Sequence, residues 1–187
     1  MKKITIILLL LAFLSALPAA AETVAELPEF EGPYIVTTCG QSPGAVMVAM
    51  AAMQTGIHAD YDDADNPLTA ATLDTDTYKT LIVTTGTSMK GMGAAGTDVD
   101  LEIARCLAVI EAAKEAGMIV IGAHVEGMAR RVDSTDEASI DAVMAEADII
   151  LVINDSDSDG FFTKYAQENG KPLLKVENAL AVGTVLR

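Results

Sequence analysis

Nucleophiles and bases are scarce in this chain. It has two cysteines and two histidines. Cys39 ends an apolar, β-branched run, Tyr34–Cys39, just ahead of a helix start, where unpaired backbone N–H groups stabilise a thiolate. His124 ends a similar run that begins at Met118. If both runs are strands of one parallel sheet, the two residues share an edge, and a Cys39–His124 pair supplies the parts for acyl transfer by a small hydrolase or transferase. Ser42 and Ser88 are further nucleophiles, and Asp155 is an acid that would orient the base. No G-x-S-x-G elbow is present. The competing reading of Gly40-Gln41-Ser42-Pro43-Gly44 is a helix start, with Ser42 as N-cap and Pro43 at the first helical position. That of His124 is a hydrogen-bonded structural residue.

Three further patterns carry possible chemistry. Asp155-Ser156-Asp157-Ser158-Asp159-Gly160 fits D-x-D-x-D-G, in which Asp155, Asp157 and Asp159 would offer hard oxygens to calcium. It departs from an EF-hand, because a strand precedes it and Ala166 stands at the twelfth loop position. The alternative is a solvated strand-to-helix loop whose acids favour the next helix N-terminus. Gly91-Met92-Gly93-Ala94-Ala95-Gly96 fits G-x-G-x-x-G, but it starts too far beyond its strand for a dinucleotide fingerprint, and no acid ends a strand at the expected spacing. A flexible loop whose amides take a small anion, with Lys90 adding charge, fits better. Met47, Met50 and Met53, with Met89 and Met92, have soft-metal character suited to Cu(I); core filling is the stronger reading.

The elements that must hold these residues alternate along the chain. Tyr34–Cys39, Thr80–Thr85, Met118–Ala123 and Ile149–Ile153 read as largely apolar strands, with a short, weak second strand around Ile57–Tyr61 and a sixth candidate at Leu173–Val176. Helices are expected from Pro43 to Thr55, Asp98 to Ala116, Ser134 to Ala147 and Phe161 to Glu168, with a short one over Pro67–Leu73. The third is opened by the capping-box spacing Ser134-Thr135-Asp136-Glu137. Fully apolar strands between amphipathic helices imply an α/β fold, three layers with a five- or six-stranded, mostly parallel sheet. The flavodoxin-like order 2-1-3-4-5 is favoured over the Rossmann order. In the favoured order the loops after strands one and three flank the switch point, where open α/β sheets bind ligands. The ligand contacts expected there are Gly40, Gln41, Ser42, Gly86, Thr87, Ser88, Lys90, His124 and Arg130. The Arg130-Arg131 pair grips a carboxylate or phosphate in one reading and neutralises Asp133 and Asp136 in the other.

Composition bounds the partners. The net charge is −15, with no basic run, which sets nucleic acid aside. Lys2 and Lys3, the apolar run Ile4–Leu17 and Ala19-Ala20-Ala21 read as a signal peptide over residues 1–21, cleaved near Ala21. An irregular lead-in over 22–33 and one α/β domain over 34–187 follow. The mature protein is then exported, periplasmic or extracellular, with no stable membrane anchor. Disulfides are permitted there, but Cys39–Cys106 pairing depends on geometry, and Cys106 lies on an apolar helix stripe. The first helix has no polar side chain from Gly44 to Met53. It must be covered on both sides, by the lead-in or by a second subunit, the latter implying a homodimer.

Ser88–Gly96, Ile121–Arg131, Gly160–Ala166 and Gly40-Gln41-Ser42 together resemble an uncharacterised family of exported bacterial proteins, a domain of unknown function. The likeness covers essentially the whole chain after the signal. It implies export and a flavodoxin/Rossmann-like α/β domain, and it supplies no catalytic residue. The expectation is a protein binding a small ligand at the C-terminal edge of its sheet. The hydrolase or transferase reading and an assembly module docking through the first helix are the alternatives.

Overall fold

The computed structural model describes residues 25–63 and 65–187. The expected signal peptide and its cleavage near Ala21 lie outside the described residues. Among the described residues no helix is long and apolar enough to cross a membrane.

Six strands, β1 (Tyr34–Cys39), β2 (Ala59–Tyr61), β3 (Thr80–Thr85), β4 (Ile119–His124), β5 (Ile149–Ile153) and β6 (Leu173–Val176), form one sheet in the order β2-β1-β3-β4-β5-β6. Every pairing is parallel. The inner strands β1, β3, β4 and β5 are buried on both faces, which is why they read as largely apolar runs, whereas the edge strands β2 and β6 are partly exposed. Tyr34, Val36, Ile82, Ile121 and Leu151 pack on one face, and Ile35, Cys39, Leu81, Val83 and Val120 on the other.

The first face is covered by α1 (Gly44–Gln54) and a C-terminal 3-10 segment (Ala179–Thr184). The second carries α3 (Val99–Glu115), α4 (Ser134–Glu146) and α5 (Phe161–Asn169). The short helix α2 (Met89–Ala95) fills the connection after β3.

The apolar α1 is thus sandwiched within the chain itself. Gly183 of the 3-10 segment sits against its backbone so closely that a Cβ there would collide with the Ala51 carbonyl oxygen. Leu27 and Phe30 of the lead-in join the same cluster. Met50 and Met53 stay exposed.

Several local expectations are corrected. Pro67–Leu73 is irregular chain with one turn over residues 70–72. Ser42 does not cap α1: Pro43 is the N-cap residue with no side-chain cap, and the Ser42 hydroxyl bonds instead to Thr38 Oγ1 at 3.0 Å. The cap of α4 is one residue early, because the Asp133 carboxylate accepts from the N–H groups of Thr135 and Asp136. The glycine-rich stretch is no loop. It is α2, capped by Ser88 Oγ on Gly91 N–H and closed by Gly96 in the left-handed region at φ 66°.

Candidate functional site

The loops after β1 and β3 do meet at the C-terminal edge, since β1 and β3 are neighbours through Cys39↔Thr85. Their amides, however, are already occupied by the protein's own side chains. Gly40 N–H donates to Glu102 Oε2 at 3.3 Å, and Gln41 Nε2 to Glu102 Oε1 at 3.1 Å. Gly86 N–H donates to Ser139 Oγ at 3.3 Å. Thr87 gives both its N–H (2.7 Å) and its hydroxyl (2.8 Å) to Asp136 Oδ1. Glu102 and Asp136 are 3% and 2% exposed. These carboxylates from α3 and α4 stand where an anionic ligand would meet backbone N–H groups. The pocket expected between the two corners is therefore filled.

Behind Glu102 lies Arg105. Its guanidinium reaches Glu102 Oε2 at 2.8 Å, Thr38 O at 2.6 Å, Leu68 O at 2.8 Å and Thr37 Oγ1 at 3.1 Å. Asp62 lies 3.7 Å from it and accepts from Thr37 Oγ1 at 2.6 Å and Leu68 N–H at 2.7 Å. Burial raises the Asp62 carboxyl above its usual range, with these bonds working against the shift. Sequence reasoning missed Glu102 and Asp136 as site residues. The available signal was position: both fall on the buried stripes of their helices, in register with Cys106 and with Ser139–Ile140.

Cys39 and His124 are not a dyad. Neither has exposed surface. The His124 ring is held by Thr85 Oγ1 at 3.0 Å on Nδ1 and Gly127 O at 3.2 Å on Nε2, and it stacks on Phe162 with centroids 5.3 Å apart. Burial lowers its pKa to about 4, so the ring is neutral at pH 7. The neighbouring Cys106 side chain holds the Cys39 thiol below its ordinary value, while Cys39 and burial push Cys106 well above it.

The calcium reading is likewise corrected. Asp155 Oδ2 accepts from Met128 N–H, Asp157 accepts from Phe162 and Thr163 N–H and pairs with Lys175 at 2.8 Å, and Asp159 takes Arg131 through two bonds. The three carboxylates diverge to separate partners, and among the described residues no group of three or more His, Cys, Asp or Glu is placed to hold a metal ion. The methionines divide as well: Met92 is buried, whereas Met50, Met53 and Met89 are exposed.

Lys90 is exposed on α2. Gly91 answers to packing, because a Cβ there would collide with the Gln41 carbonyl oxygen. Arg130 donates to Thr87 O at 2.6 Å and to Glu126 Oε2 at 3.1 Å; it does not pair with Asp133 or Asp136. The other carboxylate oxygen of Glu126 is buried beside Gly44 and Thr84 without a hydrogen-bond partner. It brings negative charge to the start of α1, a helix with no side-chain cap and no acid in its first turn.

Open space lies one strand over. A cleft of about 420 Å³ runs between the loop after β1 and the end of β2. Its walls are Thr38, Gln41, Ser42 and Pro43, then Ala45 and Val46 of α1, and facing them Tyr61, Asp62 and Asp63. Gln41 sits in the left-handed region at φ 55°, a strained conformation for a residue with a side chain. Of the expected ligand contacts, Gln41 and Ser42 line this cleft, and Gly40, Gly86, Thr87, Ser88, Lys90, His124 and Arg130 do not.

The family model of a domain of unknown function, DUF6305, matches residues 31–187. The chain belongs to the DUF6305 family. No curated protein sequence matches this DUF6305 chain at a significant level. Solved structures similar to it include a GDSL-like lipase from Bacteroides thetaiotaomicron, 9% identical with a TM-score of 0.35, covering 76% of this chain and 66% of that one. A GDP-L-fucose synthetase from Naegleria fowleri bound to NADP is 13% identical with a TM-score of 0.35, covering 80% of this chain and 50% of that one. The chain thus spans just under two thirds of the lipase and half of the synthetase. Similarity at this level carries no functional argument for the DUF6305 domain.

Proposed function

We propose that the chain binds a small polar ligand at the C-terminal edge of its sheet, in the cleft between the loop after β1 and the end of β2. The observation that carries this reading is the uneven lining of that cleft. On one wall the N–H groups of the first turn of α1, which lack a side-chain cap, stand beside the Ser42 and Thr38 hydroxyls. Ala45 and Val46 add apolar surface to that wall, and on the other are the carboxylates of Asp62 and Asp63 with the Tyr61 ring. Uncapped helix N–H groups donate to an electron-rich oxygen, and carboxylates accept from donors. A ligand with an acceptor at one end and a donor at the other satisfies both.

Native mass spectrometry of protein purified without denaturation tests the reading. The expected result is a retained adduct that Val46→Trp, which fills the cleft, abolishes without lowering Tm. The absence of any adduct, together with no thermal shift across a panel of small zwitterions, polyols and carboxylates, overturns it. Export belongs to the same proposal. N-terminal sequencing of the chain from the cell envelope should begin at Glu22, and a chain retaining its first residues in the cytoplasm would contradict it.

A further inference from the structure

Cys39 closes β1 and Cys106 lies on the buried face of α3. Neither side chain has any exposed surface, and both belong to one buried cluster between β1 and α3. Each position is pinned by hydrogen bonds. Cys106 Sγ donates to Thr38 O at 3.7 Å, and Ser139 Oγ donates to the Cys39 carbonyl at 2.6 Å. The Cys106 sulfur thus lies against the backbone of the residue that precedes Cys39, inside a cluster that includes Ile35, Leu81, Val83, Val109 and Ile110. The segment between them contains α1, β2, β3 and α2.

We propose that Cys39 and Cys106 are a cross-linking site, joined as a disulfide when the chain folds in an oxidising compartment and stapling the end of β1 to α3 behind the Gly40–Ser42 wall of the cleft. The bond requires the loss of two protons and two electrons from the thiols. The oxidant is another disulfide, on a thiol–disulfide oxidoreductase or a small molecule such as oxidised glutathione, and it leaves as two thiols. The Cys39 thiolate attacks one sulfur of that disulfide and displaces the first thiolate. The Cys106 thiolate then attacks the Cys39 sulfur, forming the protein S–S bond and displacing the second. Both sulfurs are sealed in the finished core, so the exchange takes place before α3 closes on β1. A cross-link around so long a segment restricts the unfolded chain strongly. Its effect on the native chain is to hold the left-handed Gln41 corner against α3, independently of whether the cleft takes a ligand.

The test compares chain exported to an oxidising compartment with chain made in a reducing cytosol. Exported protein, denatured without reductant, should label at neither cysteine with an alkylating reagent. It should gain about 2 Da on reduction and yield one peptide pair linking Cys39 to Cys106. Reduction should lower its Tm by on the order of 10 °C. Labelling happens in denaturant, so Cys106→Ser exposes Cys39 to the reagent whether or not that variant folds. Two labelled cysteines in the exported wild type with no mass change, or dimers linked between chains on a non-reducing gel, overturn the proposal. The pair is then two buried thiols packing as small apolar groups.

Discussion

The two corners of the C-terminal edge are built from the same kinds of residue and end in opposite states. At the β1–β3 corner, the amides of Gly40 and Thr87 are met by Glu102 and Asp136 of the chain itself. At the β1–β2 corner, the start of α1 has no side-chain cap and borders an open cleft. The switch point of an open α/β sheet is a place where backbone donors gather. Here the covering helices supply the counter-charge, which converts the usual ligand position into a fixed part of the core. A buried carboxylate is expensive unless paired and bonded, and Glu102 has both an ion-pair partner and two amide-type donors. The vacancy is thereby moved to the neighbouring strand, where β2 is three residues long and its following loop carries Asp62 and Asp63.

If that contrast is right, substitutions at the filled corner cost stability and substitutions at the open one do not. Glu102→Ala should have the largest effect. It leaves the Arg105 guanidinium short of its nearest carboxylate and Gly40 N–H without an acceptor, a loss of about 3 kcal/mol or more, read from urea unfolding. A loss under about 1 kcal/mol would show that the corner is not sealed by this residue.

The next effect comes from His124. Its folded pKa of about 4 lies below the ordinary 6.5, so the unfolded chain binds the proton first as pH falls. The contribution is present above about pH 6.5, drains away between there and pH 4, and amounts to about 3 kcal/mol. The unfolding midpoint of the wild type should fall through that window. His124→Gln should flatten the fall, and an unchanged slope would count against a neutral, buried ring.

Asp136→Ala removes the shared acceptor of the Thr87 N–H and hydroxyl. The expected loss is about 2 kcal/mol by the same measurement.

At the open corner, Tyr61→Ala should shift stability by less than about 0.5 kcal/mol, because the ring is 45% exposed. Calorimetry should nonetheless show weaker binding of any ligand recovered from the cleft. The same small energetic change is expected for Met50→Glu with Met53→Glu. The homodimer proposal rests on that exposed face of α1: light scattering should give a dimeric mass for the wild type and a monomeric one for the double variant. A monomeric wild type at micromolar concentration ends that proposal.

The division between what was legible in the sequence and what was not follows the physics of burial. Runs such as Tyr34–Cys39 and Ile149–Ile153 announce strands because both faces are covered, and helices of ordinary length between them imply a parallel sheet, while its order was open between the flavodoxin-like and Rossmann arrangements. The α2 helix was hidden because Gly91, Gly93 and Gly96 read as a loop, although only Gly91 and Gly96 have structural reasons to be glycine. The partner covering α1 was hidden because Ala179–Thr184 lacks the length and period of a helix. The acids that fill the switch point were overlooked because Glu102 and Asp136 lie in the first turns of acidic helices, where a carboxylate normally faces water and favours the dipole. Their place on the apolar stripe was the contrary sign. Gln41 and Ser42 could be placed on the cleft wall from sequence because they follow directly from the end of β1, while the other side of the cleft depends on how a weak second strand ends.

The Arg131 side chain gives this edge an asymmetry of stiffness. It bonds Ser156 O at 2.9 Å, pairs with Asp159 and lies over the Phe161 ring at 4.4 Å, which rivets the loop after β4 to the loop after β5. Those two loops can only travel as one piece. Hydrogen exchange across them should therefore be slow and concerted, and faster exchange is expected at the far end of the edge, where β2 is three residues long.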